Sequence, residues 1–111
     1  MSTPLIVDLG DLPPGPLDAA ARFHERTLPG IRAALAETQE VRLLFAPADH
    51  THDAWRLAAV QGLAREAAPV RVNAIVGGDR AKIAQVGDYL ASAPGVTGQV
   101  FEVAANVSET G

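Results

Sequence analysis

The sequence predicts an α/β fold: half of a doubly wound, Rossmann-like sheet, ordered β-α-β-α-β-α-β and mostly parallel, with four strands. Three observations predict it. Short aliphatic runs alternate with longer amphipathic stretches along the chain. Each such stretch is long enough for a crossover helix, which parallel strands require. Hydrophobic residues make up 48% of the 111 residues, so the chain can bury one core and no more.

The first strand is Leu5–Leu9 (LIVDL), ended by Gly10. The segment DLPPGP, Asp11 to Pro16, is a stiff loop. From Leu17 to Glu37, apolar residues recur at helical spacing: Leu17, Ala20, Ala21, His24, Leu28, Ile31 and Leu35. Pro29 interrupts this run and predicts a kink or two helices, because it lacks an N–H and clashes one turn back. Val41–Ala46 is the second strand. The polar loop PADHTHD follows, with Thr51 or Asp53 placed to cap a helix running to about Ala67. Its expected core face is Leu57, Val60 and Ala64, with Trp55 either core or an interface anchor. Val70–Val76 is the third strand, Gly77-Gly78 a turn, and Asp79 an N-cap. Residues 80–91 form a helix with Ile83, Val86 and Leu90 inward, and residues 98–104 the last strand. The ends, residues 1–4 and 106–111, are expected to be loose.

Charge and composition exclude several functions. The net charge is −4 and no basic cluster occurs, which argues against nucleic acid and anionic membrane surfaces as partners. No cysteine is present, so disulfides and thiolate chemistry are out. Neither a secretion signal nor a membrane span is seen, and the expected location is the cytoplasm.

Several segments carry a resemblance. LAAVQGLAREAAPVRVNAIVGG (57–78) contains a helix of the form A-A-V-x-G-L running into R-V-N-A-I. YLASAPGVTGQVFEV (89–103) holds Y-L-A-S and V-T-G-Q, and TLPG (27–30) follows the pattern N-L-x-G. In this order and spacing they resemble the C-terminal half of the short-chain dehydrogenase/reductases, of the 3-oxoacyl-carrier-protein reductase type. The resemblance implies a truncated, degenerate member. The family's Gly-rich dinucleotide turn is not matched after any strand, so no cofactor is expected. On this register Asp53 stands at the family's catalytic Tyr position, Leu57 at its Lys and Thr27 at its Asn. The Ser position falls near Ala46–Ala48. The only Tyr is Tyr89 and the only Lys is Lys82, in the wrong order and spacing for that chemistry. The chain is therefore expected not to be an enzyme on its own.

Other groups are weighed on their own chemistry. His50 and His52 could ligate a metal, but they sit two apart in a loop that reads better as a solvated helix cap. His24 reads as a partly buried, hydrogen-bonded histidine. Asp8 lies where strand C-termini of open sheets meet ligands, or it caps the following loop. A phosphate at Gly77-Gly78 is disfavoured by Asp79.

The resemblance implies that the oligomerisation elements are kept: helices 17–37 and 54–67, and the pair formed by helix 80–91 and the last strand. The expected interface residues are Leu28, Ile31, Leu35, Trp55, Val60, Val100 and Phe101. The expected function is a non-catalytic subunit that associates with a full-length active homologue, or with itself. The alternative is a small-ligand site, or a non-redox enzyme, in an open strand-end pocket around Asp8, His50 and Asp53.

Overall fold

The computed structural model describes residues 3–103. Four strands form one sheet: β1 (Leu5–Asp8), β2 (Glu40–Phe45), β3 (Arg71–Val76) and β4 (Val100–Glu102). They lie in the order β1-β2-β3-β4, and every pair is parallel. The predicted half of a doubly wound sheet is therefore what forms.

Alternation along the strands splits the sheet into two unlike faces. One face presents Val41, Leu43 and Phe45 beside Val72, Ala74 and Val76, all buried and in register. Leu5 and Val7 extend it onto β1. This face is covered by α1 (Pro16–Arg22), α2 (Leu28–Ala34) and α3 (Asp53–Ala67); Phe23, just after α1, joins Ile31, Val60 and Leu63 in the same core. The other face presents Ile6, Glu40, Arg42, Leu44, Arg71, Asn73 and Ile75. One helix packs there, α4 (Arg80–Ala91), the only one on that side among the described residues.

The 17–37 run is interrupted as predicted, but its inward face differs. Between α1 and α2 the chain makes a π turn, Phe23–Thr27, in which the Leu28 N–H donates to the Phe23 carbonyl. Pro29 is the second residue of α2, where its missing N–H costs little. The extra residue in the π turn advances the inward stripe by one position. Ala19 and Phe23 are buried upstream of it, Leu28 and Ile31 downstream. A continuous helix read back from Leu28 points instead to His24, Ala21 and Leu17, and all three are exposed, Leu17 at 85%.

One more inward assignment changes, on α3. The buried stripe there is Arg56, Ala59, Val60, Leu63, Ala64 and Ala67, so Leu57 faces outward. On α4, Leu90 is buried, while Ile83 and Val86 are only half-buried. Helix α3 stops at Ala68, whose extended ψ suits a residue before proline. The expected loose residues 1–2 and 106–111, and residue 104 of the last strand, lie outside the described residues.

The α4 face holds buried charge. Glu40 accepts from Arg42 Nε at 2.7 Å and Nη2 at 3.1 Å, and from Arg71 Nη2 at 3.2 Å. Arg71 Nη1 also donates to the carbonyls of Leu90 and Ala93, at the C-terminal end of α4 where positive charge is favoured. Gly87 makes room for this group, since a Cβ there would sit 2.7 Å from Arg42 Nη1. Asn73, fully buried, donates to the Val96 carbonyl and accepts from Gln99 N–H. It thereby ties down the loop that delivers β4.

Candidate functional site

The strands are parallel, so their C-terminal ends lie together, and the loops after them frame a groove. A cavity of about 440 Å³ lies there, lined by Asp8, Asp11, Leu44, Phe45, Gly77 and Arg80, among others. Asp8 Oδ1 accepts the Gly10 N–H at 2.9 Å, which closes the turn after β1. Gly77, with φ of +152°, is needed: a Cβ would stand 2.2 Å from Val103 Cγ2. Asp79 caps α4 as predicted, accepting from the N–H groups of Ala81 and Lys82. Those donors are thereby taken by a carboxylate of the chain itself.

A second cavity, about 300 Å³, adjoins the first through Gly10, Asp11, Ala46 and Pro47, and extends to Asp49, His52 and Arg56. Asp49 accepts from the backbone N–H and the hydroxyl of Thr51. The Thr51 hydroxyl, then its N–H, hold the Asp49 carboxyl below the usual carboxylate range. Asp49, not Thr51 or Asp53, is therefore the cap, and it caps a short 3₁₀ turn, His50–His52, that leads into α3.

His52 is buried and both its ring nitrogens are engaged. Trp55 Nε1 can only donate, so Nδ1 accepts from it at 3.1 Å. Nε2 then carries the hydrogen and donates to the Pro14 carbonyl at 3.0 Å. His52 is a pin that holds the proline loop against α3. His50 is exposed, and no group of three or more metal-ligating side chains occurs among the described residues. His24 is exposed, not partly buried, with Nδ1 hydrogen-bonded to the Ala20 carbonyl at 2.7 Å.

A third cavity, about 210 Å³, is lined by Asp53, Arg56, Leu57, Val100 and Glu102. It brings together Asp53 and Leu57, the residues standing at the expected Tyr and Lys positions. Ala46, Pro47 and Ala48, at the Ser position, line the second cavity instead. Thr27 lies in the π turn and lines none of the three. Of the residues expected around a strand-end pocket, Asp8 lines the first cavity, Asp53 the third, and His50 none. Tyr89 is exposed on α4 with its ring 6.0 Å from Phe101, away from these cavities.

The expected interface residues divide. Leu28, Ile31 and Val60 are buried in this chain's own core. Leu35, Trp55 and Val100 are half-buried against that core, and Phe101 is half-buried beside Tyr89. Trp55 packs against Phe23 and Phe45, with ring centroids 5.8 and 5.6 Å away, and spends its N–H on His52. Among the described residues, the large apolar side chains that remain exposed are Ile6, Leu17, Leu57 and Tyr89.

One residue of this region is missing from the sequence reading. Arg56 is buried at 6% exposure, its guanidinium carbon 4.5 Å from the centroid of Phe45. Its signal was available: counting four residues back from Val60 along a helix reaches position 56. No helix among the described residues is long and apolar enough to cross a membrane.

No curated protein and no solved structure matches the chain. A family model described as short chain dehydrogenase-like protein matches residues 7–103, from within β1 to the end of the described sheet. With an all-parallel sheet in that same span, the chain belongs to the short chain dehydrogenase-like protein family.

Proposed function

We propose that this chain is a non-catalytic member of its family that works by association, with a second copy or with a full-length active short-chain dehydrogenase/reductase. The observation that carries the reading is the outer edge of β1. Ile6 is 54% exposed within a strand, and β1 pairs on one side only, with β2, among the described residues. Beside it the α4 face is thinly covered. A groove of about 250 Å³ there is lined by Ile6, Leu44, Ile75, Ile83 and Ala84, with Arg42, Gly87 and Asp88 along it. Apolar edges with unpaired backbone groups recruit further strands, and contiguous apolar patches mark protein contacts. Another chain of the same fold brings a strand and an apolar face that match both.

The non-catalytic part rests on side chains. Asp53 and Leu57 stand where the resemblance requires Tyr and Lys, and the chain's only Tyr and only Lys are on α4. A carboxylate and an isobutyl group cannot together activate and donate a phenolic proton.

The test joins light scattering to an activity assay. The expected results are a mass above that of one chain at tens of micromolar, and no NAD(P)H oxidation with a panel of ketones. A clean monomer would remove the association. Turnover lost on Asp53→Asn would remove the non-catalytic assignment.

A further inference from the structure

We infer that Arg56 anchors the carboxylate of a short aliphatic monocarboxylic acid, bound in the groove at the strand C-termini. This does not depend on the association proposed above.

The arginines of this protein show what such a group does when a carboxylate is near. Arg32 donates through Nε and Nη2 to Glu66, at 2.6 and 2.8 Å. Arg42 donates through the same two nitrogens to Glu40. Arg32 is exposed and Arg42 half-buried. Arg56 is buried, yet no hydrogen bond or ion pair reaches its guanidinium among the described residues, and its Nε is both buried and unpartnered. Its contacts are the faces of Phe45 and Trp55. Burial lowers its pKa, and Asp53 and Glu102 oppose that without bonding it. A buried N–H with no acceptor, as at Arg56 Nε, is costly unless something supplies one.

The surroundings select what supplies it. Arg56 lines the cavity whose walls are Pro13, Pro14, Ala46 and Pro47. His52 fixes that wall through the Pro14 carbonyl. Asp11 and Asp49 also line it, so the cavity carries one cation and two carboxylates. Asp11 and Asp49 repel any anion, a dianion more than a monoanion, and the guanidinium fork matches a planar carboxylate. The adjoining 440 Å³ cavity offers Leu44 and Ile83 to a hydrocarbon tail, beside Asp8 and Arg80.

The experiment titrates the ¹⁵N-labelled full chain with sodium hexanoate and follows the side-chain Nε–Hε resonances. Inorganic phosphate and hexylamine, at matched ionic strength, are the controls. The expected result is a saturable shift of the Arg56 resonance with hexanoate and none with either control. Arg56→Lys should weaken binding about tenfold or more, since an ammonium cannot replace the fork. Ala46→Phe, at an exposed position shared by both cavities, should abolish binding while the far-UV spectrum is kept. An Arg56 resonance that stays in place with hexanoate overturns the inference. So does phosphate shifting it as readily, or hexanoate binding unchanged in the Ala46→Phe variant.

Discussion

The two faces of the sheet are built on different chemistry. On the α1–α3 face every buried strand residue is apolar, and three helices close over it. On the α4 face the same strands carry Glu40, Arg42, Arg71 and Asn73, with Ile6 paired to Arg42 and with Leu44 and Ile75 one row further on. The first face is complete within the chain. The second satisfies its charges internally but leaves apolar surface at β1. Stability therefore resides mainly in one face, while the other is left with surface to offer. The charge cluster and the apolar groove meet at Arg42, which binds Glu40 and also lines the groove beside Ile6.

The comparison is broken hardest on the complete face. Phe45→Ala removes the ring that touches Phe23, Trp55 and Arg56, and should cost about 3–5 kcal/mol. Urea unfolding measures it. On the α4 face, Glu40→Ala strips two arginines of their shared carboxylate. It should cost about 3 kcal/mol, the low end for a broken buried pair, because Arg42 and Arg71 keep some access to water. If Glu40→Ala proved as harmless as a surface change, the charge cluster would not be structural.

Gly77→Ala tests the junction of β3 with the groove. Its Cβ must displace Val103, and the backbone conformation is unfavourable to L residues, so a loss of about 1–3 kcal/mol is expected in a thermal melt. Ile6→Lys, by contrast, should leave the monomer folded at a cost of about 1 kcal/mol or less, since Ile6 is more than half exposed but stands opposite Arg42.

The smallest effect belongs to the outer surface of the helix pair, where Arg32 bridges α2 to Glu66 on α3. Arg32 holds the Glu66 carboxyl below its ordinary range. A lowered carboxyl pKa contributes stability above the unfolded-state value and loses it as pH falls through the folded one. The melting difference between wild type and Glu66→Gln should therefore be slight at neutral pH and vanish in acid. It should also shrink at high salt, because both side chains are exposed.

Much of the fold is legible in the residues. VRLLF and VRVNAIV announce buried strands, and Asp79 announces the start of α4, because period-2 runs and caps are local signals. The inward face of the first helical run is not legible in the same way. It depends on one extra residue in the π turn, which shifts Phe23 in and His24 out, and spacing alone cannot show that. Glu40 precedes the apolar run Val41–Ala46 yet belongs to its strand, and a charged first residue gives no local sign of the alternation that sets it beside Arg42. Arg56 was hidden by its type: a charged residue on an inward stripe is discounted unless the stripe is counted strictly, and Leu57 one position on drew the assignment. Leu28, Ile31 and Val60 are apolar for this chain's own core, so apolar character alone could not separate core from contact surface.

The most direct test of the account is light scattering of the wild type and of Ile6→Lys at tens of micromolar. The account predicts a wild-type mass that is a multiple of 11.5 kDa and a variant that elutes as a folded chain of 11.5 kDa. Equal masses for the two proteins, whether both monomeric or both associated, would contradict the role assigned to the β1 edge.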